Sequence, residues 1–158
     1  MNPYEGLRNK LLTASADELG IPPSEELPDV WAALTDLGME HGTATIATVA
    51  DGSTSMYTSS GGGIIGAGMR PPIAEATREF LATMQRSLDR LPPAETAPLP
   101  PEGSVAFVAL TRGGIRRVQI AIEGIDEEED GPLYALWAGI NGVITLMRLT
   151  SEAVEAEG

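Results

Sequence analysis

The chain has 158 residues, enough for one domain with a buried core, and 42% of them are hydrophobic. Its 23 acidic residues against 10 basic ones give a formal charge of -13, which repels nucleic acid and anionic lipid and argues against either as a partner. With no cysteine, one lysine (Lys10) and one histidine (His41), disulfides, thiolate metal sites and a phosphate-loop lysine are excluded.

Residues 1–40 read as helical. Pro3 suits a first helical turn, and Tyr4, Leu7 and Leu11 recur at helical spacing. Pro22, Pro23 and Pro28 break the pattern. A second helix is then expected, capped by Ser24 or Asp29, with Val30, Trp31, Leu34 and Leu37 as its apolar stripe and Gly38 as its stop. The period changes at residue 43. β-Branched and short residues flank Asp51-Gly52, a dipeptide suited to a tight turn, and predict strands over 43–50 and 53–60. Beyond a glycine-rich segment, Ile73, Thr77, Phe80, Leu81, Met84, Leu88 and Leu91 share one helical stripe, and Pro92 ends it, so residues 72–91 are expected to be a helix packed on a sheet.

Residues 92–102 are proline-rich and form a stiff connector inside one domain of residues 1–158. "SVAFVALT" is apolar on both faces, as a central strand is, and Gly113-Gly114 turns it into "IRRVQIAI". "DEEEDGP" reads as an exposed connector, "LYALWAGI" as a strand, and Asn141-Gly142 as a second hairpin turn leading to "VITLMRL"; whether this last pair is a hairpin or a strand plus helix stays open. The acidic tail "TSEAVEAEG" frays or forms a short helix. The fold class expected is α+β, a mainly antiparallel five- or six-stranded sheet with a long central helix and N-terminal helices packed on it.

Chemistry is sparse. Gly61, Gly63 and Gly66 satisfy G-x-G-x-x-G, but a dinucleotide site needs those glycines between a parallel strand and a helix N-terminus, and here "AGMRPP" intervenes. Gly61 to Gly68 are therefore expected to form a close-packed turn, with Ile64 and Ile65 as anchors on the core or on a partner subunit. If the loop binds a ligand instead, Gly61, Gly62, Gly63, Gly66 and Arg70 are the residues to do it. His41 lies near Asp36, Asp51 and several serines in sequence, without a nucleophile elbow. Asp126 to Gly131 opens like a calcium loop, yet its twelfth position is Trp137 where a glutamate is needed. Arg112, Arg116 and Arg117 could join Arg70 on an anion, or simply protect a sheet edge through surface salt bridges, which is the favoured reading. Trp31, Trp137, Tyr57 and Tyr134 are expected in the core. No catalytic residue, metal ligand or cofactor is assigned.

The order helix, "VADGSTSMYTSS" hairpin, amphipathic helix, then three strands resembles the roadblock/longin-like fold, which is profilin-like in layout, over roughly residues 30–150. That resemblance implies a five-stranded antiparallel sheet, dimerisation, and a regulatory or scaffold role. The extra N-terminal helix, the proline connector and the glycine segment depart from it, and no functional residue carries over. Small acidic α+β secretion chaperones, which also dimerise, are similar too. The function expected is a non-enzymatic protein-interaction or regulatory module, homodimeric and cytoplasmic, with a protein partner and neither nucleic acid nor membrane. The alternative is a small-molecule or nucleotide binder that uses the Gly61–Gly68 loop and nearby arginines.

Overall fold

Val30–Met39 is a strand, β1, and not the second helix that its apolar stripe suggested. The computed structural model describes residues 3–40, 42–59, 63–64, 70–125 and 131–157. In it β1 lies in the middle of the sheet and runs antiparallel to both neighbours, β2 (Gly42–Val49) and β6 (Ser104–Thr111). Covered on both faces, it needs apolar residues at successive positions, and a continuous apolar run imitates a helix stripe. A bulge between Val30 and Ala32 adds to the ambiguity. It puts the consecutive residues Trp31 and Ala32 into the same buried cluster.

The hairpin expected at Asp51-Gly52 is present. It joins β2 to β3 (Thr54–Thr58), with Gly52 at φ 97 and Asp51 Oδ1 accepting from Ser53 N–H at 2.8 Å. β3 carries a two-residue strand, β4 (Gly63–Ile64), whose backbone pairs with Tyr57 and Met56. The expected amphipathic helix is α2 (Pro71–Arg86), followed by a 3₁₀ turn at Leu88–Arg90. The two-residue β5 (Pro93–Ala94) pairs with β7 (Gly114–Ala121), and β6 and β7 form the predicted hairpin. The sheet order is β4-β3-β2-β1-β6-β7-β5, with every pair antiparallel. The class is α+β, as expected, with five longer strands and two two-residue strands at the edges.

The last third differs from expectation. "LYALWAGI" and "VITLMRL" are not strands but parts of one 26-residue helix, α3 (Pro132–Glu157). Leu136, Ile140, Val143 and Met147 recur at helical spacing and are buried. Asn141 sits inside this helix and donates Nδ2–H to the Trp137 carbonyl at 2.8 Å, so Asn141-Gly142 makes no turn. Three longer strands and the short β4 thus precede α2, and two longer strands and the short β5 follow it, where a hairpin before the helix and three strands after it had been expected.

Two buried clusters flank the sheet. On one face Phe80, Leu81 and Met84 of α2 and the buried α3 residues meet Val105 and Phe107. On the other, Trp31, Leu34, Val108 and Leu110 lie beneath an N-terminal helix, α1 (Pro3–Thr13), and the connector. Gly38 is where the connector comes closest, since a Cβ there would run into the backbone carbonyl of Pro101. Gly103 N–H also donates to the Gly38 carbonyl at 3.0 Å. Gly38→Ala is expected to lower stability by about 1–3 kcal/mol, because backbone and not a flexible side chain must move. Urea denaturation checks this; an unchanged midpoint would show that the connector shifts freely.

Candidate functional site

Beneath α1 the sheet holds a buried charge. Asp36 of β1 is fully buried and sits in register with Thr45 of β2. A lone buried carboxylate is strongly unfavourable, so the position demands a cation and hydrogen-bond donors. Arg8 of α1 donates Nε–H to Asp36 Oδ1 at 3.2 Å and Nη2–H to Oδ2 at 2.6 Å. Thr45 Oγ1 donates to Oδ1 at 2.6 Å. Arg8 Nη2 also reaches the Ala97 carbonyl at 2.7 Å, so one side chain ties helix, sheet and connector together. It makes the one salt bridge among the described residues.

Arg117 belongs to the same region. Its Nη2 donates to the Pro98 carbonyl at 2.9 Å and to Gln119 Oε1 at 2.7 Å. Burial lowers its pKa from the ordinary arginine value, while Asp36 opposes the shift and Arg8 adds to it. A guanidinium stays protonated under such a shift.

The other arginines do not gather around an anion. Arg112 donates Nη2–H to the Ile21 carbonyl at 2.9 Å, and its backbone N–H to Asp29 Oδ1 at 2.9 Å. Arg116 donates Nε–H to the Leu91 carbonyl at 2.6 Å. Arg112, Arg116 and Arg117 thus pin three separate segments through main-chain oxygens, where surface salt bridges had been expected. Arg70 is exposed just ahead of α2, and its carbonyl accepts from Ile73 N–H at 3.0 Å. Gly63 and Ile64 form β4; Gly61, Gly62, Ile65 and Gly66, with His41 and Asp126–Asp130, lie outside the described residues.

The concave surface is elsewhere. Two hollows lie on the sheet face beside the C-terminal end of α1 and the turn that follows it. The groove toward β2 and β3 has a volume of 460 Å³, with Ala47, Val49 and Tyr57 as floor and Leu11, Ala14 and Leu19 as wall. Lys10, Glu18, Ser53 and Ser55 stand around it. Leu19 is 49% exposed, so its side chain is open to a partner at the wall of this groove. The groove toward β6 and β7, 320 Å³, is lined by Trp31, Leu110 and Ile115 with Ser15, Asp17 and Arg112. A size of a few hundred Å³ with an apolar floor and few polar groups is the form of a binding site.

The sequence reading missed this surface. Tyr57 had been assigned to the core and is only partly buried, and Leu19 and Val49 were not singled out. For the buried ion pair a signal was available: Asp36, a lone carboxylate within the apolar run "VWAALTDLGM", requires a cation brought from elsewhere in the chain.

Among the described residues no cluster of three or more His, Asp or Glu could hold a metal ion, and no helix is long and apolar enough to cross a membrane. Compared with family models, with curated proteins and with solved structures, the chain gives no match.

Proposed function

We propose that this chain is a non-enzymatic protein-interaction module, homodimeric and cytoplasmic, that receives an apolar segment of a partner protein in the groove between α1 and the β2–β3 hairpin. The observation that carries the reading is that groove: an apolar floor left open on a sheet face, beside a leucine that is half exposed. The buried charges beneath α1 support the same reading, because Arg8, Asp36 and Arg117 are engaged in holding the fold together. A partner segment that buries Leu19, Val49 and Tyr57 would gain affinity from apolar area, and Lys10 and Glu18 would set its register at the rim.

The test is photocrosslinking in cells from a photoreactive residue at position 19, with and without Val49→Arg. The expected result is one protein partner attached from position 19 and lost with Val49→Arg, while the variant keeps its melting temperature. Attachment that Val49→Arg leaves intact removes the groove from the reading. A thermal-shift series with ATP, GTP and NAD runs beside it, and a specific stabilisation of several degrees by one of them would move the reading to a nucleotide binder.

A further inference from the structure

The connector between α2 and β6 carries more apolar surface on its outside than a solvated crossing needs. Its second half is "APLPPEG", residues 97–103. Proline fixes φ at about −65°, so Pro98, Pro100 and Pro101 are preset. Ala97, Leu99 and Pro100 each precede a proline, which keeps them extended. Residues 97–101 are thereby confined to polyproline II, a helix with three residues per turn and no internal hydrogen bonds.

Burial follows that period. Ala97 and Pro100, one turn apart, are buried. Pro98 and Pro101 form a second edge and Leu99 lies on the third; all three are exposed, Leu99 by 43%. Together they make a continuous apolar ridge and not a scattered surface residue. The backbone under the ridge is fixed. Arg8 Nη2–H donates to the Ala97 carbonyl at 2.7 Å, Arg117 Nη2–H to the Pro98 carbonyl at 2.9 Å, and Gly103 N–H to the Gly38 carbonyl at 3.0 Å.

We infer that residues 97–101 are a docking motif, and that its partner is a domain that reads polyproline II through an aromatic-lined groove with a basic rim. None of these residues lines the groove beside β2 and β3, so this is a second surface. Three features select that partner. Pro98-x-x-Pro101 has the spacing that such grooves read, with the two prolines one turn apart. A groove that holds two edges of the helix leaves the third facing away, and here the edge of Ala97 and Pro100 is the one turned to the fold. Glu95 and Glu102 flank the motif and are exposed, and no basic residue occurs in residues 92–111, so a cationic rim is complementary and an acidic one is repelled. The two cations that touch the motif, Arg8 and Arg117, also hold Asp36 and Gln119. Their hydrogen bonds set the backbone in its bound form before a partner arrives, which lowers the ordering cost of association.

The experiment titrates the full chain into a panel of purified SH3, WW and EVH1 domains, with basic and with acidic groove rims, by calorimetry. The expected result is micromolar binding to at least one member with a basic rim, weakening as salt is raised. Leu99→Ser is expected to keep the melting temperature within a few degrees, since that side chain is exposed, and to weaken binding by about tenfold or more. Pro98→Ala with Pro101→Ala should weaken it at least as far, and Glu102→Lys should reduce both the binding and its salt dependence. Val49→Arg, in the other groove, should leave it unchanged, so the two surfaces stand or fall separately. A panel in which no member binds at millimolar concentration overturns the inference. So does binding that Leu99→Ser leaves intact, or binding confined to domains with acidic rims.

Discussion

Arg8→Ala lowers the free energy of unfolding by about 3–5 kcal/mol, the loss expected when one partner of a buried ion pair is removed. The side chains of Arg8 and Asp36 are 8% and 0% exposed, so water cannot replace the guanidinium. The variant leaves Asp36 with the Thr45 hydroxyl and with Arg117, whose guanidinium is already directed to Pro98 and Gln119. It also frees the Ala97 carbonyl, so α1 and the connector loosen together. Arg8→Lys recovers only part of the loss, since a single ammonium cannot bind both carboxylate oxygens in a fork and reach a carbonyl as well. Arg8→Met with Asp36→Leu comes out near neutral, because removing both charges removes the desolvation penalty with the attraction. Guanidinium denaturation of the set measures each value. A loss below about 1 kcal/mol in Arg8→Ala would show that Arg117 takes over the pairing, and the Arg8→Ala/Arg117→Ala variant would then recover the full cost. The effect is large on the scale of a domain whose total stability is about 5–15 kcal/mol.

The same ion pair shows how far the sequence could be read. Local signals survived folding intact where turn chemistry or a solvated face decides the outcome. Asp51-Gly52 turns where expected, and the α2 stripe is buried with its charges outside. The errors fell where an element has no solvated face to mark its period. In β1, Ala32 and Ala33 occupied positions that a surface helix would fill with charge, and that lack was the missed sign of a strand covered on both sides. In α3, the Asn141-Gly142 signal outweighed the helical recurrence of Leu136, Ile140, Val143 and Met147. A turn dipeptide is only a local preference, and the apolar packing of four turns overrides it. The groove beside α1 was out of reach, because its floor and wall come from segments some forty residues apart that tertiary packing and the Arg8–Asp36 pair bring together. The glycine-rich segment, the most conspicuous feature of the sequence, has only Gly63 and Ile64 among the described residues.

Phe80→Ala is expected to cost about 3–5 kcal/mol, the range for truncating a fully buried aromatic residue. Phe80 is 1% exposed and stands where α2, α3 and the sheet converge. Its ring lies 6.4 Å from that of Phe107 on β6, tilted by 45°, so the substitution removes an aromatic pair along with the buried area. It also removes the reason for glycine at position 139, where an added Cβ would meet the Phe80 ring edge at 3.1 Å. The two sites should therefore couple. Gly139→Ala alone must push the ring by a few tenths of an ångström, and it gains little or loses stability. In the Phe80→Ala background that obstacle is gone, and alanine brings its higher helix propensity, about 1 kcal/mol over glycine, and partly fills the cavity. Thermal or urea unfolding of the four variants gives the coupling directly. A Phe80→Ala loss under about 1 kcal/mol would show that α2 is not held by this stripe. Strict additivity of the two substitutions would show that α3 does not approach α2 at Gly139.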